Sequence, residues 1–133
     1  MCAFGIDFGT TSCCIAALDS NGHPVVLRNV LDSSNTLDSA VFFESADSII
    51  IGSEAKDMVE TDGDRVVLCI KREIGRTDAK PYEFFGRTYN AVEISALILK
   101  RLKQIAEEQG NIVDNVVITC PACFGIPERD AIR

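Results

Sequence analysis

The 133-residue sequence has no stretch of about 18 consecutive apolar residues, the length a helix needs to cross a bilayer. Its apolar runs, such as Cys13 to Leu18 and Val116 to Ile118, are strand-sized and bounded by polar residues. It is also short of positive charge, with 13 Lys and Arg against 20 Asp and Glu and a formal net charge of −7. Binding a phosphate backbone needs clustered Lys and Arg, so neither nucleic acid nor a membrane is an expected partner. There is a single histidine, His23, expected at the surface. A structural zinc site takes four ligands, and Cys120-Pro121-Ala122-Cys123 has no second Cys-x-x-Cys to accompany it. No basic segment followed by an apolar core opens the chain, so no secretory signal is read. Internal repeats and low-complexity segments are absent from the sequence.

What is present describes one acidic globular unit, expected to be monomeric, with 47% hydrophobic and 25% charged residues and enough length to bury a core. Of six cysteines, Cys13, Cys14, Cys69 and Cys120 sit in apolar stretches, where Cys behaves as a small hydrophobe. The reading is core packing by reduced thiols in a cytoplasm.

The first 28 residues predict a strand meander. Ala3 to Phe8, Cys13 to Leu18 and His23 to Arg28 are apolar runs. Gly9-Thr10-Thr11-Ser12 and Asp19-Ser20-Asn21-Gly22 separate them, the second carrying an Asn-Gly hairpin signal. No helix fits between these strands, so the opening is antiparallel and is not a dinucleotide-binding one, in which a glycine turn leads into a helix. Ala40 to Phe43 and Ser48 to Ile51 predict two short strands around a turn at 44–47. Ser53 is expected to cap a helix through Glu60, and Val67, Ile70 and Ile74 are spaced for a helix over 66–74 that stops at Gly75. Tyr82 to Tyr89 predicts an aromatic strand or strand pair.

The strongest helix signal follows. Asn90 and Glu93 form a capping-box pattern, and Ile94, Leu97, Ile98, Leu102, Ile105 and Ala106 make one apolar stripe that ends before Gly110. Asn115 to Cys120 predicts a buried strand, Pro121 to Gly125 a loop, and Pro127 with Glu128 the first turn of a further helix. The chain reaches Arg133 after one or two turns of that helix, so a piece of a longer protein is expected.

The segment richest in chemistry is Gly5-Ile6-Asp7-Phe8-Gly9-Thr10-Thr11-Ser12. A carboxylate at the end of a strand, followed by a glycine turn with three hydroxyls, suits a metal-bound polyphosphate. Turn N–H groups and hydroxyls donate to phosphate oxygens, and the carboxylate organises a hydrated magnesium ion. Taken alone, the same residues also describe an ordinary hairpin turn.

This segment resembles the first phosphate motif of the DnaK-type heat-shock chaperones. Three later stretches agree with that family in order and spacing. They are Ile70-Lys71-Arg72-Glu73-Ile74-Gly75-Arg76, Glu93-Ile94-Ser95-Ala96-Leu97-Ile98-Leu99 and Val116-Val117-Ile118-Thr119-Cys120-Pro121-Ala122. The resemblance implies an α/β fold, a ribonuclease-H-like lobe of an actin-like ATPase, with a smaller inserted subdomain at roughly 36–90. It implies ATP and Mg2+ as cofactors. Asp7 would order the magnesium's waters, Gly9, Thr10, Thr11 and Ser12 would hold the β- and γ-phosphates, and Lys71 would be catalytic. Pro121 and Arg129 match residues that relay nucleotide state toward a peptide-binding domain. The complete protein is then an ATP-dependent chaperone acting on unfolded client peptides with co-chaperones, and the 133-residue piece alone is expected to be inactive.

The sequence departs from the family where Asn35-Thr36-Leu37-Asp38-Ser39 lacks a proline, where Cys123 replaces a tyrosine, and at Gly125-Ile126-Pro127. Other readings are an actin-like or sugar-kinase-like ATPase, which shares the phosphate turn, and a non-enzymatic redox or interaction module using Cys120 and Cys123. Against the latter, a redox pair normally has its first Cys at a helix N-terminus, whereas Cys120 is expected at the end of a strand.

Overall fold

A computed structural model describes residues 3–133. β1 (Phe4–Phe8) and β2 (Ser12–Leu18) pair antiparallel, with Asp7 opposite Cys14. Successive side chains on a strand point to opposite faces. Phe4, Ile6, Phe8, Cys13 and Ile15 are accordingly buried on one face, and Gly5, Asp7, Cys14 and Ala16 lie on the other. β3 (Pro24–Val26) and β4 (Leu37–Asp38) share the far edge of β2, β3 along Ala16–Leu18 and β4 along Ser12–Cys13. The turn into β3 is wider than an Asn-Gly hairpin, because the Asp19 carboxylate accepts from the N–H groups of both Asn21 (2.8 Å) and His23 (2.9 Å).

β5 (Ala40–Phe43) is the middle strand of a second sheet, between β6 (Ile49–Ile51) and a later strand, and all four of its residues are buried. α1 (Ser53–Asp57) and α2 (Val59–Asp62) follow. Here two expectations are corrected. Gly52, not Ser53, occupies the capping position, with φ 111°, and the helix breaks at Met58 instead of running to Glu60. The expected helix over 66–74 is a strand, β7 (Val66–Leu68), followed by a single 3-10 turn at Ile70–Glu73. The β-branched Val66 and Val67 are drawn into the sheet by pairing with Phe42 and Val41, and Cys69 then turns the chain with a left-handed backbone (φ 55°).

β8 (Tyr82–Phe84) and β9 (Arg87–Tyr89) form the expected aromatic hairpin, which stacks Phe84 on Phe43 at 4.2 Å between centroids. α3 (Ala91–Glu107) is capped as its sequence predicts, with Asn90 accepting from the Glu93 N–H at 2.8 Å. It lays Ile94, Ile98, Leu102 and Ile105 over the buried face of the first sheet and over the 3-10 turn. Full burial of such side chains is worth about 1.5–3 kcal/mol each.

β10 (Val116–Thr119) joins the first sheet parallel to β1, giving the order β10-β1-β2-β3. It was expected to be buried, but Val117 is 72% exposed and Cys120 beyond it is exposed. β10 is an edge strand, and α3 covers only the opposite face. The cysteine expectation changes with it: among the described residues Cys13 alone is a buried cysteine, Cys14 and Cys69 are half-buried, and Cys120 and Cys123 are exposed. α4 (Ile126–Ile132) begins one residue before Pro127. No helix among the described residues is long and apolar enough to cross a membrane.

Ile98 is fully buried at the centre of α3. Ile98→Ala is expected to lower the unfolding free energy by about 2–5 kcal/mol, read from the shift of a urea denaturation curve.

Candidate functional site

The site is built where β1 ends. Gly9 opens the turn into β2, and the turn is so tight that a Cβ at this position would collide with the Ser12 carbonyl. The backbone approach that glycine allows is therefore used. The turn is fastened from outside by Ser39, which lies between β4 and β5 and is 3% exposed. Its N–H donates to the Thr11 carbonyl (2.9 Å) and its hydroxyl to the Gly9 carbonyl (3.0 Å). The Cys13 thiol lies 3.1 Å from the same hydroxyl. Burial pushes this thiol's pKa up, against the opposing pull of the Ser39 and Gly9 hydrogen bonds and the Lys71 charge. Among the described residues the hydroxyls of Thr10, Thr11 and Ser12 make no hydrogen bond of their own and remain available as donors.

Asp7 projects from the uncovered face of the sheet. The parallel register places Thr119 beside it, and the Thr119 hydroxyl donates to Asp7 Oδ1 at 3.0 Å. One carboxylate oxygen is thus oriented from within, and the group as a whole is exposed.

Lys71 lies on the 3-10 turn and is 8% exposed. Its ammonium donates to the Phe8 carbonyl, the last of β1, and lies 5.6 Å from the centroid of the Phe8 ring and 5.8 Å from that of Phe124. A buried charge needs such partners. The turn carrying it is braced by the Tyr82 hydroxyl, which donates to Glu73 Oε1 at 2.6 Å. On its far side Gly75 (φ 78°) leaves no room for a side chain, since a Cβ would come within 2.6 Å of Glu128 Cγ on α4.

The structure therefore brings Asp7, the Gly9–Ser12 turn and Lys71 together at one end of β1. Pro121 begins the loop directly after Thr119 and Cys120 and is half-buried. Arg129 is exposed on α4 and shares a shallow groove along β10 with Val116, Ile118 and Cys120. Among the described residues its guanidinium makes no hydrogen bond or ion pair to the other site residues. Four participants escaped the sequence: Ser39, Thr119, Tyr82 and Phe124. Thr119 alone had a usable signal, since pairing the valine-rich strand in parallel with β1 puts it opposite Asp7.

Two strands joined by a glycine turn, with a carboxylate at the first strand's end and a lysine seated on its last carbonyl, sit in a mixed α/β fold. The comparisons give this class its family. The model of the Hsp70 protein family matches residues 3–83 and 78–133. The chain is 42% identical over 130 residues to the chaperone protein DnaK of Mycoplasmopsis agalactiae, an alignment covering 97% of this chain and 21% of that relative. The chain belongs to the Hsp70 family and spans about a fifth of the length of the DnaK relative it matches.

The Tyr82 brace has a measurable signature. Burial and the Glu73 carboxylate push the Tyr82 hydroxyl up to about 12, above the ordinary value near 10. A pKa raised by folding contributes stability that is complete below the unfolded value and is lost as pH climbs through the folded one. Titration of tyrosinate absorbance should show a component near 12, and Tyr82→Phe should remove it together with the stability lost between the unfolded and folded values.

Proposed function

We propose that this chain is the N-terminal part of an actin-like, ribonuclease-H-like ATPase lobe. In the full-length protein this lobe binds Mg-ATP and couples its hydrolysis to the binding and release of unfolded peptides, with co-chaperones, in the cytoplasm. Residues 36–90, which carry the three-stranded sheet and the aromatic hairpin, form the smaller inserted subdomain on this reading. The observation that carries the proposal is the seating of the Lys71 ammonium on the carbonyl of Phe8, the residue between Asp7 and Gly9. The Hsp70 family match sets the sugar-kinase-like alternative aside.

The residues fit the group. The Gly9 turn admits close backbone approach, and its N–H groups with the hydroxyls of Thr10, Thr11 and Ser12 suit the β- and γ-phosphate oxygens. Asp7, oriented by Thr119 and otherwise exposed, suits the water shell of a magnesium ion, which dehydrates reluctantly and keeps several of its waters. Lys71 has three N–H donors and gives one to Phe8, leaving two for the γ-phosphate and the attacking water. Phosphoryl transfer asks mainly for positioning and charge neutralisation, and in a chain of net charge −7 a local buried cation supplies the latter. Pro121 and Arg129 carry the proposed relay toward the peptide-binding domain.

The face bearing Asp7 and Thr119 is open, so this chain offers one wall of a cleft, and one wall neither excludes water nor closes on a nucleotide. Calorimetric titration of the 133-residue chain with Mg-ATP should show no low-micromolar binding, and such binding would overturn this part of the reading. In the full-length protein, Lys71→Ala is expected to slow hydrolysis roughly 100- to 1,000-fold, by comparison with loss of a transition-state donor elsewhere. Unchanged turnover there would remove Lys71 from the chemistry.

A further inference from the structure

Ser39 is the single residue between β4 and β5, so it stands where the chain leaves the first sheet for the second. It is buried, and both of its donors are spent on the Gly9–Ser12 turn, the N–H on the Thr11 carbonyl at 2.9 Å and the hydroxyl on the Gly9 carbonyl at 3.0 Å. The Cys13 thiol approaches the same Gly9 carbonyl only to 3.8 Å. Peptide units are planar and trans, so a carbonyl and the N–H of the next residue point in opposite directions. Drawing the Gly9 and Thr11 carbonyls toward Ser39 therefore turns the N–H groups of Thr10 and Ser12 away from it. Among the described residues the Thr10 N–H makes no hydrogen bond. The need for a fastener follows from Gly9 itself. Without a Cβ its peptide rotates against little steric resistance, and a rotated Gly9–Thr10 peptide would present a carbonyl oxygen where a phosphate needs a donor.

We propose that Ser39 is a positioning residue for phosphate binding, holding the Gly9 and Thr11 carbonyls on its own side so that the Thr10 and Ser12 amides stay aimed at phosphate oxygens. The inference rests on the reading of the Gly9–Ser12 turn as a phosphate site, and adds to it a residue 30 positions from Gly9 that touches no ligand. A side chain buried only to fill space would serve as well as alanine. A hydroxyl withdrawn from water needs a partner, and this one finds it in the turn that the backbone N–H of the same residue also grips. On either side of Ser39 the chain is held, β4 by pairing with β2 and β5 by pairing with β6 and β7, so the residue has little freedom of its own. A fixed point between two sheets thus steadies a turn whose glycine would leave it loose. Donors that are already oriented need no reorganisation when the anion arrives.

The test is calorimetric titration of the full-length protein with Mg-ATP, which reads binding apart from chemistry. Ser39→Ala is expected to bind Mg-ATP roughly 10- to 100-fold more weakly, the range covered by one hydrogen bond to a charged group. Ser39→Thr keeps the hydroxyl and should stay close to the unsubstituted affinity. Ile98→Val, a core change on α3, should lower the melting temperature and leave the affinity of the folded protein unchanged, which separates positioning from general destabilisation. Unsubstituted affinity in Ser39→Ala, a folded Ser39→Thr that binds as weakly as expected of Ser39→Ala, or an equal loss in Ile98→Val would overturn the proposal. Turnover of Lys71→Ala, measured alongside, distinguishes the two ways of failing. If Lys71→Ala is slowed while Ser39→Ala keeps full affinity, only the assignment of Ser39 falls. If Lys71→Ala turns over unchanged, the reading of the site beneath it falls as well.

Discussion

A lysine ammonium withdrawn from water must keep an acceptor and favourable surroundings, and the site is arranged around that requirement. Lys71 meets it with the carbonyl of Phe8, 63 residues earlier in the chain, and with the rings of Phe8 and Phe124. One side chain thus fixes the end of β1, the turn after β7 and the loop after β10 relative to one another. The supports of that turn serve the same end. Cys69 adopts a left-handed backbone to leave the sheet at the right point, and Tyr82 holds Glu73 from the aromatic hairpin. Lysine ordinarily keeps its charge in solvent on a flexible stem. Here the stem is enclosed and the charge has a fixed address.

The first sheet divides its work between its faces. Phe4, Ile6, Phe8, Cys13 and Ile15 pack under α3 and account for much of the core, whereas Asp7, Cys14 and Thr119 occupy the uncovered face. Alternation along β1 therefore sets a chemically useful carboxylate between two fully packed residues, Ile6 and Phe8. Neighbouring positions on one rigid strand serve stability and the candidate site separately, which places Asp7 with a precision that a loop residue would lack.

What could be read in advance was local. The antiparallel opening, the aromatic hairpin and α3 with its Asn90 cap all depend on residues a few positions apart, and their patterns are unambiguous. The segment 66–74 misled because Val67, Ile70 and Ile74 satisfy helical spacing, while the deciding influence, pairing with β5, lies outside the window. β10 misled for the converse reason: an apolar run reads as buried, yet an edge strand covered on one face leaves Val117 in the open. Motif resemblance puts forward Asp7, the Gly9–Ser12 turn and Lys71 as candidate site residues, but it does not give the burial of Lys71 or the contacts of Ser39. Their partners lie 63 and 30 residues away, and no local pattern encodes contacts of that range.

Gly75 illustrates how little material can separate two distant parts of a chain. The segment that follows Lys71 and the helix that bears Arg129 meet there with only a hydrogen atom between them, since Glu128 already occupies the volume a methyl group would need. At this contact any side chain in place of Gly75 would have to push aside both the Glu128 stem and the α4 backbone behind it, so glycine is what lets the two segments abut.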